Sequence, residues 1–182
     1  MLEAIQTLTP TQIMITPAAL SALDQHTFTD TLAAIYEHSP WIAERSWTLR
    51  PFASRDAVHQ ALAQTLDAAS DAEKLGLIKA HPELAGKAAV RGELTDDSLR
   101  EQSGAGLGHC SAEEFATISR INREYGEKFG FPFIIAVKGL DRTDIIAAMQ
   151  RRLAHSREAE FIEALAQIKR IAAFRLAEKI SD

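Results

Sequence analysis

Apolar residues recur at helical spacing along most of the chain. Val58, Leu62 and Leu66 lie four residues apart, which puts them on one face of a helix that Ser54 can cap. Capping residues precede other apolar stripes in the same way, and Gly130 follows the clearest stripe as a left-handed helix terminator. These signals predict further helices that begin after Ser70, Ser111, Asp141 and Ser156, the last of which runs to about Lys179.

The remaining boundaries rest on fewer residues. Thr27 and Asp30 have capping-box spacing in a helical run that continues to residue 38, and residues 84–97 mix glycines with charges, which predicts a polar loop. The apolar run FPFIIAV at 131–137 is the single strand-like stretch, and one short run cannot form a sheet. We therefore predict an all-α fold: a single compact domain of roughly eight or nine helices with one short extended, buried segment near 131–137.

Composition and charge narrow the class of protein. The 182 residues are 46% hydrophobic and 25% charged, as expected for a globular domain with a sizeable core. A net charge of -5 argues against nucleic acid or an anionic membrane as the main partner. No apolar run approaches the ~20 residues that span a bilayer, and the first twenty residues do not resemble a secretory signal. Because the single Cys110 suits a reducing compartment, we expect a cytoplasmic protein.

A histidine stands where a helix must end, in the stretch IKAHPELAGK at 78–87. His81 precedes Pro82, and the residue before a proline avoids the α region. An imidazole at this position can interact with the last carbonyls of the helix, or it can transfer a proton near neutral pH. The sequence pattern leaves both interpretations open.

Two other polar positions have a structural and a functional interpretation. Arg175 falls on or beside the apolar stripe of the last helix, where it can extend its head to water or bind carboxylate and carbonyl oxygens in a pocket. Ser98 and Glu101 can form a capping box, or Glu101 and Gln102 can face a polar ligand. The six histidines show no metal-ligand spacing, so we predict no metal site. The sequence also contains neither a phosphate-binding loop nor a GxSxG nucleophile elbow.

Several separated segments together resemble one known family. EHSPWIAE (37–44), AHPELAGK (80–87), SLREQSGAGL (98–107), YGEKFGFPFIIAVKG (125–139) and KRIAAFRLAE (169–178) are similar to the 2-oxo-4-hydroxy-4-carboxy-5-ureidoimidazoline (OHCU) decarboxylases of purine catabolism. The likeness runs from about Pro17 to the C-terminus, with the motifs in the order of the family. Residues 1–13 have no counterpart, so we interpret them as an N-terminal extension to a family domain over 14–182.

The resemblance implies an all-helical homodimer, without metal or organic cofactor, that converts OHCU to (S)-allantoin in the last step from urate to allantoin. It implies that His81 is the catalytic acid, or proton donor, and that Glu101 and Arg175 assist it. It also implies a substrate cradle formed by Pro82, Ser98, Leu99, Arg100, Glu101, Gln102, Phe133, Ile134, Ile135, Ala136 and Val137.

The chemistry of OHCU explains why no cofactor is expected. The carbon that loses carbon dioxide neighbours an imine carbon, so the electron pair can move toward the C=N bond and the substrate supplies its own electron sink. An extended segment over 133–137 would offer backbone N–H and C=O groups to such an amide-rich ligand. Two alternatives remain: a hydrolase of a related ureide, in which His81 and Glu101 activate water, and a non-catalytic helical interaction module, in which Glu101 and Arg175 form a structural ion pair.

Overall fold

The chain is all-helical in the computed structural model, which describes residues 14–86, 89 and 91–182. Within these residues, helices α1 to α9 span Pro17–Ser21, Gln25–Leu32, Trp41–Ser46, Arg55–Asp67, Asp71–Ala80, Asp96–Gly104, Ala112–Phe129, Arg142–Arg152 and Arg157–Lys179. The predicted fold class is confirmed. The extension predicted for residues 1–13 lies outside the described residues, and none of the helices that are described is long and apolar enough to cross a membrane.

Side-chain caps fix most helix starts where the sequence places them. Ser70, Ser111 and Asp141 each form a reciprocal capping box with the acidic residue three positions later. Ser54 and Ser156 each accept one backbone N–H in the first turn of α4 and α9. These caps give partners to amide groups that the helix itself leaves unpaired, which is why local sequence predicts them well.

Two predicted caps are wrong. Helix α2 begins at Gln25 because Asp24 accepts the Thr27 N–H at 3.0 Å, so Thr27 lies inside the helix. Helix α6 is capped by Thr95, whose hydroxyl accepts the Ser98 N–H at 3.3 Å. Ser98 therefore also lies inside its helix, and its hydroxyl is directed to a tertiary contact instead of a capping box.

The polar loop predicted over 84–97 is also partly wrong. Leu84 and Ala85 are buried in the hydrophobic core, and Ala89 and Arg91 have helical backbone. Both apolar residues follow His81 closely, so the chain beyond α5 is fixed to the core where a solvated loop was expected.

An aromatic cluster holds the segment after α7 against the helices. The ring centroids of Tyr125 and Phe129, both on α7, are 4.4 Å apart, and Phe133 meets Tyr125 edge-on at 5.3 Å. All three rings are buried, and residues 132–137 form neither helix nor strand, which confirms the predicted extended connection. The longest helix, α9, packs against α4, α5 and α7.

Candidate active site

His81 ends α5 and lies buried beside a narrow cleft. It has extended backbone, as the following Pro82 requires, and is 7% exposed. Its Nδ1 atom lies 2.9 Å from the carbonyl oxygen of Leu77. Because a carbonyl oxygen accepts hydrogen bonds and never donates them, Nδ1 carries the proton and Nε2 carries the lone pair. Burial lowers the pKa of His81 to about 4, so the imidazole is neutral near pH 7.

Arg175 is buried between two carboxylates. Its Nε and Nη2 atoms donate to the two carboxylate oxygens of Glu101 at 2.7 and 3.0 Å, and its Nη1 atom donates to Oε2 of Glu37 at 2.9 Å. Nη1 also donates to the carbonyl oxygen of Ala34 at 3.0 Å. With 4% of its surface exposed, Arg175 does not extend to water, so that interpretation of the sequence is wrong. Burial opposes the charge, but Glu101 and Glu37 raise the pKa of Arg175 above its ordinary value.

Glu37 belongs to the same cluster, although its sequence neighbourhood gave it no role of its own. It is 2% exposed, and its carboxylate accepts the Thr95 hydroxyl at 2.6 Å and the Ser98 hydroxyl at 3.2 Å in addition to Arg175. Burial alone would raise the pKa of Glu37, but the Thr95 hydroxyl and the Arg175 guanidinium together lower it below its ordinary value. Glu37 is therefore an ionised carboxylate in the interior.

A small cleft of about 30 Å³ brings most of the predicted site residues together. It is lined by all of them except Leu99, Arg100 and Ala136. The cleft shares Glu101, Arg175 and two apolar residues with a larger cavity of about 250 Å³, which Arg100 and Ala136 also line.

Leu99 is the predicted site residue that the structure brings to neither cavity. It is 50% exposed on the outer face of α6. The reason is helical geometry, because consecutive residues of α6 point in different directions and the inner face carries Ser98 and Gln102, which are both buried.

The extended segment 133–137 is held by hydrogen bonds from two side chains that do not line the cleft. The Ala136 N–H donates to the side-chain oxygen of Gln167 at 3.0 Å, and Nη1 of Arg152 donates to the carbonyl oxygen of Ile134 at 2.7 Å. Arg152 is itself paired at 2.8 Å with the buried Glu160. Two of the backbone groups that an extended segment would offer to a ligand are thus already used within the protein.

The arrangement can bind a polar ligand and move a proton. A neutral imidazole, a fixed guanidinium and the partly exposed carboxylate of Glu101 line one cleft. The cleft alone has room for about one water molecule, so a larger ligand must extend into the larger cavity, which Glu101 and Arg175 also line. Among the residues that the structure describes, no group of three or more His, Cys, Asp or Glu side chains is placed to hold a metal ion. The side chains present thus suit acid–base and electrostatic chemistry.

Comparison with known sequences gives a consistent result. A sequence model described as OHCU decarboxylase matches residues 21–177. The chain is 42% identical over 167 residues to the 2-oxo-4-hydroxy-4-carboxy-5-ureidoimidazoline decarboxylase of Haloferax volcanii, which covers 92% of this chain and 97% of that protein. It is 46% identical over 169 residues to the uric acid degradation bifunctional protein PucL of Bacillus subtilis. That match covers 93% of this chain and 33% of the bifunctional protein, so the chain spans about a third of its length.

Comparison with solved structures shows the same fold. The crystal structure of (S)-allantoin synthase is similar with a TM-score of 0.74 and 29% sequence identity, covering 92% of this chain and 54% of that chain. A structure of OHCU decarboxylase crystallised in the presence of (S)-allantoin has a TM-score of 0.64 at 22% identity, covering 86% of this chain and 97% of that chain. At that identity the second match supports the fold alone.

Proposed function

Because the chain belongs to the OHCU decarboxylase family, we propose that it releases carbon dioxide from OHCU and forms (S)-allantoin in urate degradation. The enzyme class is that of a carboxy-lyase. The convergence of His81, Glu101 and Arg175 on one cleft supports the proposal most directly, since Glu101 and Arg175 are 74 residues apart in the sequence and still form a two-point contact.

In the proposed reaction, the bond between the carboxylate and the hydroxyl-bearing carbon breaks. Its electron pair forms a double bond to the neighbouring ring carbon, while the electrons of the C=N bond move to nitrogen, which takes up a proton from solvent. The hydroxyl-bearing carbon becomes a carbonyl as its hydroxyl proton leaves, and a proton adds to the neighbouring carbon. That last step sets the configuration of allantoin.

We propose that His81 moves the proton between these two positions. Since the imidazole is neutral with a lone pair on Nε2, it accepts the hydroxyl proton first and afterwards donates it to the ring carbon. His81 is then a proton donor, as the family resemblance implies, but only after it has acted as a base. The Leu77 carbonyl keeps the ring oriented during both steps.

Arg175 contributes its charge and the orientation of Glu101. Its guanidinium already contacts Glu101, Glu37, a backbone carbonyl and, at 3.5 Å, the Ser98 hydroxyl. We therefore propose that Arg175 offsets the negative charge that develops when carbon dioxide leaves, and that it aims Glu101 at the N–H groups of the ureido substituent.

The test is to add the protein to OHCU freshly generated by urate oxidation, and to follow carbon dioxide release together with the optical activity of the product. We expect fast release of carbon dioxide and accumulation of (S)-allantoin. Release of ammonia or urea in place of carbon dioxide would support the ureide hydrolase, and racemic allantoin at the uncatalysed rate would overturn the proposal.

A further inference from the structure

We propose that Glu37 is a positioning residue for this reaction: it holds the Arg175 guanidinium on the edge opposite Glu101 and thereby fixes how Arg175 and Glu101 are oriented beside His81. The inference rests on the proposed function and adds a residue to it. Glu37 lines neither the cleft nor the larger cavity, so it acts through its neighbours without touching the substrate.

Three side chains from two helices hold the carboxylate of Glu37. Arg175 comes from α9, and Thr95 and Ser98 come from the start of α6, with contacts of 2.9, 2.6 and 3.2 Å. Thr95 is also the residue that caps α6, and α6 carries Glu101. Glu37 therefore joins the first turn of α6 to α9, and the position of Glu101 relative to Arg175 depends on it.

The two carboxylates occupy different edges of one guanidinium. Glu101 takes the edge formed by Nε and Nη2, and Glu37 takes Nη1 together with the carbonyl oxygen of Ala34. A guanidinium held on one edge can still rotate with its carboxylate, whereas contacts on a second edge fix its plane. Glu37 thus fixes the plane of the Arg175 guanidinium, and this plane in turn orients the Glu101 carboxylate in the cleft.

The charge of Glu37 also affects His81. Burial is the largest cause of the lowered pKa of His81, and the nearby Arg175 and His38 lower it further, whereas the hydrogen bond to the Leu77 carbonyl and, to a smaller extent, the charge of Glu37 raise it. Glu101 lines the same cleft and forms an ion pair with Arg175 in which the two charges offset each other. Without Glu37, a proton on His81 would lie beside this ion pair with no remaining carboxylate charge to stabilise it.

Glu37→Gln tests both effects, because it keeps the shape of the side chain and removes the charge. We expect kcat to fall by roughly tenfold or more, with KM changed by less than about threefold, since losing an opposite charge commonly moves a pKa by about one unit or more. We also expect NMR titration from neutral pH to about pH 4 to show that His81 begins to protonate in the wild type and does not in Glu37→Gln. The His81 signal is assigned with His81→Asn.

Glu160→Gln is the matched control, because Glu160 is another buried carboxylate paired with an arginine, Arg152. It should lower the thermal midpoint and leave the His81 titration unchanged. If Glu37→Gln likewise only lowered the thermal midpoint, with the wild-type kcat and the wild-type His81 titration, Glu37 would be structural and the inference wrong. The titration needs no turnover, so it decides the link between Glu37 and His81 even if the wild type released no carbon dioxide.

Combining Glu37→Gln with Arg175→Gln covers the case in which the single variant does not fold, because the double variant removes both charges of the buried Glu37–Arg175 pair together. If Glu37 acts mainly through Arg175, Glu37→Gln should cost clearly less rate in the Arg175→Gln background than in the wild type. A further loss of rate of the same size as in wild-type background would show independent roles and contradict the inference.

Discussion

The Nδ1 atom of His81 lies 2.9 Å from the carbonyl oxygen of Leu77, one helical turn earlier, and this contact fixes the tautomer of the imidazole. The structural interpretation of His81, a contact with a terminal helix carbonyl, is therefore correct, and it does not exclude the functional one. By holding the proton on Nδ1, the contact leaves Nε2 as the atom that can exchange a proton with a ligand. The end of α5 thus orients the imidazole for its proposed role.

Acid should destabilise the protein through His81. The pKa of His81 is about 4 in the folded state, below the ordinary value of 6.5, so between these values the unfolded chain binds more protons. The stabilisation is present above pH 6.5 and is lost as pH falls toward 4. We expect the free energy of unfolding to fall by about 2 kcal/mol more in the wild type than in His81→Asn between about pH 7 and 5. Urea denaturation of both proteins at each pH measures this, and parallel curves would contradict it.

Arg175→Lys should damage the enzyme although it keeps the charge. A lysine ammonium cannot make the two-point contact with Glu101 while it also contacts Glu37 and the Ala34 carbonyl. We expect a fall in kcat/KM of roughly tenfold or more, which equals about 1.4 kcal/mol of transition-state stabilisation. Arg170→Lys, an exposed position on the same helix, is the control and should leave kcat/KM unchanged. Near wild-type efficiency of Arg175→Lys would contradict this prediction, because it would show that the positive charge is sufficient and the two-point contact is not needed.

Activity should not depend on a metal ion. The substrate supplies its own electron sink, and the cleft presents an imidazole, a guanidinium and a carboxylate as the groups that act on it. We expect the rate of carbon dioxide release to stay the same after dialysis against a chelator. A rate that falls on dialysis and returns with added zinc or manganese would refute this.

The helices were predictable from sequence because their signals are local. Ser111 and Gly130 sit at the two ends of α7, and the contacts that make them effective lie within four residues. Ser98 shows where local signals fail: its capping box was plausible, but Thr95 caps α6, and the Ser98 hydroxyl donates to Glu37, 61 residues away. Sequence spacing cannot distinguish these outcomes, because the competing contact is tertiary.

Glu37 was harder still to predict from the residues. Its main partner, Arg175, is 138 residues distant, and its own neighbours suggest a helix junction. The available signal was a carboxylate directly after Ile35 and Tyr36, which are both buried, since a charge in such a place needs a partner.

The homodimer, which the family resemblance implies, and the cytoplasmic location, which the composition suggests, stay predictions. Light scattering would test the first.

One pair of variants tests whether His81 transfers a proton during decarboxylation. His81→Asn keeps hydrogen-bonding ability but cannot exchange a proton at neutral pH. His59→Asn is the matched control, because His59 also contacts a backbone carbonyl, that of Lys169 at 2.9 Å, and does not line the cleft.

The decisive measurement is the rate of carbon dioxide release by both variants, with the thermal midpoint recorded on the same samples. We expect His81→Asn to fold and to lose about 10²–10⁴-fold in rate, the usual contribution of a general acid–base group, while His59→Asn keeps the wild-type rate. If His81 only capped the helix, its replacement by asparagine would cost on the order of 1 kcal/mol of stability and leave the rate unchanged. A folded His81→Asn enzyme with the full rate would contradict the claim, and proton transfer would then have to be assigned to Glu101.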